Sequence, residues 1–107
     1  MEKRKYTRMV VHDMQIDISD GIGCCSGTVR DISRLGLCLA DLAKRFGKNI
    51  DAYVAVASSD DLHFKFKVRP KWEQAGRSSK RVGVEIHEPP PGWTEYVISL
   101  ESKKRKR

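Results

Sequence analysis

Apolar and polar residues alternate along two clear stretches of this chain. Residues 14–18 alternate, and residues 62–68 do so over seven positions, with Leu62, Phe64, Phe66 and Val68 on one side. Successive side chains of a β-strand point to opposite faces, so an alternating stretch is typical of a strand with one buried face. We therefore predict strands at both places.

Further strands are predicted from short runs rich in apolar and β-branched residues, at residues 25–32, 35–40, 50–57 and 82–86. A polar turn separates the run at residues 50–57 from residues 62–68, so these two strands should form a hairpin. The second strand should continue past Pro70 to Trp72, with a bulge or at a sheet edge, because proline cannot donate to the ladder. Residues 41–47 predict one or two helical turns, and residues 74–80 predict a loop.

An amphipathic helix is predicted near the C-terminal end. After the break at residues 89–92, apolar residues recur at helical spacing, namely Trp93, Tyr96, Val97 and Leu100. Six short strands and one helix predict an all-β fold, a small six-stranded antiparallel β-barrel with a C-terminal α-helix. We divide the chain into a mobile basic N-terminal arm (1–8), the barrel (9–88), and the C-terminal helix with its basic tail (89–107).

Charge is concentrated at the two ends of the sequence. The chain has 107 residues, enough for one domain, and a net charge of +7. Much of the excess comes from four basic residues among the first eight and from residues 103–107. Such a surface attracts anionic partners. No apolar run approaches the length of a membrane span, and no apolar segment follows the charged start, so we expect a cytoplasmic protein without a membrane span.

The cysteines and histidines do not have the spacing of a metal or catalytic site. Cys24 and Cys25 are adjacent, Cys38 stands apart, and the odd count argues against a disulfide framework. A zinc site needs about four converging ligands, whereas the three histidines are scattered. We also find no nucleophile–base pair and no paired carboxylates. The sequence therefore predicts neither an enzyme nor a metal site.

Two short motifs carry candidate chemistry. Arg4 and Arg8 form an RxxxR, whose side chains share one side of an extended segment, and a guanidinium can donate two hydrogen bonds to a phosphate or to the O6/N7 edge of guanine. Asp31, Ser33 and Gly36 form a DxSxxG where two predicted strands meet. There a carboxylate can accept hydrogen bonds from a guanine edge, and glycine permits positive φ or close approach of a ligand. Taken singly, the first motif equally describes a solvated basic tail and the second a turn.

In combination, the two motifs resemble the opening and the second signature of the PilZ family, whose bacterial members are receptors for cyclic di-GMP. The strand that runs to Trp72 and the segment 83–86 resemble later strands of that family. The resemblance implies that Arg4 and Arg8 bind guanine and phosphate groups from the arm. It implies that Asp31 and Ser33 bind a guanine edge, and that Gly36 keeps the strand junction open.

Further candidate ligand-binding residues are Lys3, Lys5, Arg34 and Trp72. Many family members carry arginine where this chain has Lys3, and lysine keeps the charge without the planar guanidinium. The number of bound ligands, one or two, is therefore open. The resemblance further implies that the ligand bridges the arm and the barrel, orders the arm, and creates a surface for a protein partner.

Two alternatives stay open from the sequence. A basic barrel can bind single-stranded nucleic acid, but aromatic residues make up only 7% of the chain, which disfavours this alternative. The run Phe64-Lys65-Phe66-Lys67 is explained more simply by one face in the core and one in water. The other alternative is a PilZ-like scaffold that has lost ligand binding, which the presence of both motifs argues against.

Overall fold

The computed structural model describes residues 7–46 and 52–105. These residues contain seven strands and one helix: β1 Met9–Val10, β2 Gln15–Ser19, β3 Cys24–Ser33, β4 Gly36–Leu42, β5 Tyr53–Ser59, β6 Leu62–Ala75, β7 Lys80–His87 and α1 Trp93–Arg105. The predicted fold class is confirmed: the protein is mostly β, with a closed six-stranded antiparallel barrel, one extra strand and a C-terminal helix.

The barrel closes through β3, which has neighbours on both edges. Its strands follow the order β3-β2-β5-β6-β7-β4, and β4 pairs with β3 to complete the ring. The extra strand β1 pairs with the second half of β3, with Met9 opposite Ile32 and Val10 opposite Asp31. Strand β2 pairs with the first half of β3, so β1 and β2 follow one another along the same edge. This topology brings the N-terminal segment to the end of β3.

Alternation along the strands fills the barrel with apolar side chains. On β6 the inward residues are Phe64, Phe66 and Val68, as the sequence predicts, and the lysines between them are exposed. Leu62, predicted on the same face, is 40% exposed because it lies at the start of the strand beside the turn. The other strands contribute further buried residues, among them Ile16, Ile18, Ile32, Leu37, Leu39, Ala55, Ala57, Val82, Val84 and Ile86. Burying a large apolar side chain stabilises a fold by roughly 1.5–3 kcal/mol, so this core is the main source of stability.

Helix α1 is anchored to the core by its first residue. Trp93 is fully buried, and its ring packs edge-on against Phe64 and Phe66, with ring centroids 5.1 and 4.8 Å apart. One turn further, Val97 is also fully buried, while Tyr96 and Leu100 are partly buried against the same core. The predicted apolar face of the helix is therefore the face that covers the barrel.

Two local predictions differ from the structure. Over their described part, residues 41–46 are not helical: β4 runs on to Leu42, which pairs with Lys80, and a turn follows. Gly47, the predicted helix stop, lies outside the described residues. The predicted loop 74–80 is shorter, because β6 continues to Ala75 and β7 begins at Lys80. In both cases pairing with a neighbouring strand extends structure that local sequence does not favour.

Candidate ligand-binding site

The pairing of β1 with β3 brings Arg8 to Asp31. Arg8 immediately precedes β1, and its Nη1 donates a hydrogen bond to Asp31 Oδ1 over 2.9 Å. Both side chains are partly exposed, at 30% and 24%, so the contact lies on the outer face of the barrel within reach of a ligand. The second arginine of RxxxR thus touches the first residue of DxSxxG. Lys3, Arg4 and Lys5 lie outside the described residues.

The DxSxxG motif forms a tight hairpin between β3 and β4. Ser33 pairs with Gly36, and Arg34 and Leu35 make the turn. Asp31 and Ser33 face outward, because Ile32 between them is in the core. A Cβ added at Gly36 would lie 3.4 Å from Ser33 Oγ. Among the described glycines, those with positive φ are Gly21 and Gly92, so the turn does not use left-handed backbone at Gly36. The absence of a side chain there leaves space beside Ser33.

Helix α1 holds this hairpin through two contacts that the sequence analysis did not predict. Trp93 Nε1 donates a hydrogen bond of 3.0 Å to the backbone oxygen of Arg34. The Arg34 guanidinium donates twice to Glu101, from Nε over 3.1 Å and from Nη2 over 2.8 Å. Paired charge-assisted bonds of this kind are stronger and more directional than neutral ones. The structure thus joins Arg34, the turn residue next to Ser33, to helix α1.

A row of outward positions continues from Asp31 across the sheet. Asp31 pairs with Cys38, Cys38 with Gly83, and Gly83 with Trp72. The Trp72 ring lies against Gly83 so closely that a Cβ at Gly83 would collide with Nε1, Cε2 and Cζ2 of the indole. Trp72 is 41% exposed, which leaves part of the ring open to solvent. The signal for this contact was a glycine in mid-strand, which often marks close approach of another group.

Cys38 lies in the middle of that row and is buried. Burial raises the pKa of the Cys38 thiol, and the negative charge of Asp31 raises this pKa further. The positive charges of Arg8, Arg81 and Arg30 act in the opposite direction. Three arginines from different parts of the chain therefore act on one thiol.

Two cavities large enough for a small-molecule ligand lie next to residues of the candidate site. One, of about 430 Å³, is on the outer face of β3, β4, β6 and β7, and Arg30, Lys80 and Arg81 are among its lining residues. The other, of about 550 Å³, is more apolar and lies between the β1 segment and α1, with Met9 and Leu100 among its lining residues. Both fall in the range of volumes usual for ligand pockets.

Across residues 7–46 and 52–105, no three side chains of the metal-binding types His, Cys, Asp and Glu converge on a common point. The described helix is too short and too polar to span a bilayer. The three cysteines are free thiols.

No protein-family model matches the sequence, and no curated protein matches it. Solved structures do match its fold. The inhibitor of motility MotI/DgrA of Bacillus subtilis has a TM-score of 0.77 at 12% identity, over 100% of this chain and 54% of that protein. YcgR of Escherichia coli, in complex with c-di-GMP, has a TM-score of 0.70 at 13% identity, over 98% of this chain and 49% of that one.

A third match is PlzA of Borreliella burgdorferi, also in complex with c-di-GMP, with a TM-score of 0.61 at 16% identity over 87% of this chain and 46% of that protein. At such identities the likeness establishes the fold, which is PilZ-like. This chain spans about half the length of these proteins.

Proposed function

We propose that this chain is a bacterial receptor of the PilZ type that binds cyclic di-GMP and catalyses no reaction. The observation that carries the proposal is the contact between Arg8 and Asp31 on the outer face of the barrel. The two residues are 23 positions apart in sequence, and they belong to the two motifs that the resemblance assigns to one ligand. The likeness of the fold to YcgR and PlzA, which were solved with c-di-GMP, supports the same ligand.

The site residues offer complementary groups to a guanine nucleotide. Asp31 can accept hydrogen bonds from the N1–H and N2–H₂ edge of guanine, and the Ser33 hydroxyl can donate or accept beside it. Arg8, and Arg4 from the arm, can donate paired hydrogen bonds to phosphate oxygens or to the O6/N7 edge. Gly36 leaves room at the hairpin, and the exposed part of the Trp72 ring offers a surface for stacking.

In this proposal Arg34 contributes through position more than through contact with the ligand. Its guanidinium is bonded to Glu101, and its backbone oxygen to Trp93, so it fixes the hairpin that carries Ser33. Lys3 and Lys5 add positive charge on the arm. Because Lys3 lacks the planar guanidinium of its counterparts, the proposal does not fix whether one or two ligand molecules bind.

Ligand binding would become a signal through the arm. Arg8 pairs with Asp31, and a ligand at Asp31 would replace or share that contact. A dinucleotide that joins arm and barrel favours the closed arrangement by its differential affinity, as in other order–disorder switches. The surface formed in this way is proposed to bind a protein partner. A receptor for an intracellular second messenger acts in the cytoplasm.

The nucleic-acid alternative is weakened by the burial of the aromatic residues. Phe64 and Phe66, which alternate with lysines, are 8% and 2% exposed and cannot stack on bases. Among the described residues, Trp72 is the one aromatic side chain with a large exposed fraction, 41%. A single-strand site usually offers several stacking platforms along a groove.

Calorimetric titration with cyclic di-GMP tests the proposal. We expect the wild-type protein to bind at micromolar concentration or tighter, and Arg8→Ala and Asp31→Ala each to weaken binding by about tenfold or more. Removing a charged hydrogen-bond partner costs about 1.5–3 kcal/mol, and about 1.4 kcal/mol corresponds to tenfold in affinity. The fitted stoichiometry decides between one and two ligands.

Matched controls make the titration specific. Arg45→Ala and Asp61→Ala remove the same charges at exposed positions elsewhere and should leave affinity unchanged. GTP and single-stranded DNA are the competing ligands. A folded wild-type protein that gives no heat with cyclic di-GMP would contradict the proposal, and steep salt dependence with DNA would favour the nucleic-acid alternative.

A further inference from the structure

The cavity of about 430 Å³ lies outside both motifs and has a positive lining. Its charged lining residues are Arg30, Lys80 and Arg81 against one carboxylate, Asp41. Lys80 is itself paired with Glu73 over 2.9 Å, and Asp41 accepts a hydrogen bond from Thr28 Oγ1 over 2.7 Å. Arg30 and Arg81 are exposed and form no ion pair with any described residue.

This cavity is continuous with the row of residues that begins at Asp31. Arg30 directly precedes Asp31, at a shift in the register between β3 and β4. Arg81 lies two residues before Gly83 on β7, so both residues are on the outward face. On β6, Arg81 pairs with Gln74 and Gly83 pairs with Trp72. Two positions along a strand span roughly 7 Å, so the cavity begins one step beyond the Trp72 ring.

Arg30 and Arg81 lie near the same row of residues as Arg8. Arg8, Arg30 and Arg81 all act on the thiol of Cys38, which lies between Asp31 and Gly83. Asp31 offsets part of this positive charge. Clustered arginines attract anions, so Arg8 near Asp31 together with the exposed Arg30 and Arg81 at the cavity favour a ligand with more than one negative charge. Cyclic di-GMP carries two phosphates, and Arg8 is at one end of this region while the cavity is at the other.

We propose that Arg30 and Arg81 form a second phosphate subsite, which binds a phosphate of the dinucleotide that Arg8 and Asp31 hold at its other end. This inference rests on the proposed function and extends it to residues outside both motifs. Arginine suits the task because its planar guanidinium donates paired hydrogen bonds to phosphate oxygens.

The test compares affinity for cyclic di-GMP in two double variants by calorimetry. Arg30→Ala/Arg81→Ala should bind about tenfold more weakly or worse. Lys65→Ala/Lys67→Ala removes the same net charge from exposed positions of β6, away from the cavity, and should bind within about twofold of wild type. Thermal melts confirm that each variant is folded. Arg30→Gln/Arg81→Gln, which keeps most of each side chain, serves as the second variant if the alanine variant unfolds.

The outcomes separate this inference from the proposed function. If wild type binds and Arg30→Ala/Arg81→Ala binds equally well, the phosphate subsite is wrong and the receptor proposal stands. The same conclusion follows if the two double variants lose affinity equally, because the loss is then one of overall charge. If wild type does not bind cyclic di-GMP, both proposals fail.

Discussion

The hairpin between β3 and β4 and the short strand β1 form two sides of the candidate site, and they are held very differently. The hairpin is fixed from behind by α1, through the paired bonds from Arg34 to Glu101 and the Trp93 bond to the Arg34 backbone. Strand β1 is two residues long. It is joined to β3 by a short ladder and by the partly exposed Arg8–Asp31 pair, and its second residue, Val10, is 71% exposed.

This difference fits a receptor that changes shape on one side. In the proposed function, a fixed hairpin would present Asp31 and Ser33 in one geometry before a ligand arrives, which would lower the entropy lost on binding. The β1 side is joined to β3 by a two-residue ladder and buries one side chain, Met9, in the core. It is therefore held by fewer contacts than the hairpin, and regions of low local stability are the ones that usually move. In the proposed mechanism the hairpin therefore recognises the ligand and the N-terminal segment responds to it.

The largest expected effect is that of Trp93→Ala. The change removes a fully buried ring, its contacts with Phe64 and Phe66, and the hydrogen bond to Arg34. Replacing a buried tryptophan by alanine costs about 3–5 kcal/mol of unfolding free energy, measured here by urea denaturation. Trp72→Ala is the matched control, with an expected loss of about 1 kcal/mol because Trp72 is partly exposed. Equal losses would contradict the role of Trp93 as the anchor of the hairpin.

A smaller effect on the free energy of unfolding is expected from the ion pairs that hold the hairpin and strand β1. In a double-mutant cycle, Arg34→Ala with Glu101→Ala should give a coupling of about 1–2 kcal/mol, because the bonds are paired and Glu101 is mostly buried. The cycle Arg8→Ala with Asp31→Ala should give about 0–1 kcal/mol, since both side chains are partly solvated.

The exposed pair Lys71–Glu85, at 3.8 Å, provides the reference for both cycles, with a coupling near zero. Urea denaturation of the single and double variants measures all three couplings. A coupling at Arg8–Asp31 as large as that at Arg34–Glu101 would mean that the two sides are held equally, and the proposed movement of the N-terminal segment would lose its basis.

Much of this fold follows from hydrophobic alternation alone. The inward face of β6, its continuation past Pro70 and the inward face of α1 are predicted from spacing, and the register shift between Pro70 and Trp72 is the expected consequence of the proline. The end of β4 is not predictable in this way. Residues 41–46 have local helical tendency, but Leu42 pairs with Lys80, a residue distant in sequence.

In the candidate site, too, some residues can be predicted from the sequence and others cannot. The motif residues Arg8, Asp31, Ser33 and Gly36 can be named from the sequence because they fall in two short motifs that together resemble those of the PilZ family. Glu101, Gly83 and Arg81 cannot, because they join the site through the barrel closure and the packing of α1. A buried indole needs an acceptor for its N–H, so Trp93 did indicate some partner, but not which residue would supply it.

The smallest and most local prediction concerns Cys38, which pairs with Asp31 on one side and Gly83 on the other. Burial raises the pKa of its thiol, so the neutral form is favoured in the folded state. The stability that this contributes is fully present below the unfolded pKa, roughly 8.5 for a free thiol, and is lost as pH rises through the higher folded pKa. Wild type should therefore lose more stability in alkaline solution than Cys38→Ser.

The effect of nearby charges on the pKa of Cys38 can be measured in a Cys24→Ser/Cys25→Ser variant, in which Cys38 is the remaining thiol. The pH dependence of its alkylation by iodoacetamide reports the thiolate fraction. Because Asp31 raises the pKa of Cys38 and Arg8 lowers it, Asp31→Asn should move the alkylation profile to lower pH and Arg8→Ala to higher pH. Arg81→Ala should act in the same direction as Arg8→Ala, whereas Lys65→Ala should leave the profile unchanged. Identical profiles in all of these variants would show that the arginines do not act on Cys38, and the argument for one continuous anion-binding site would fail.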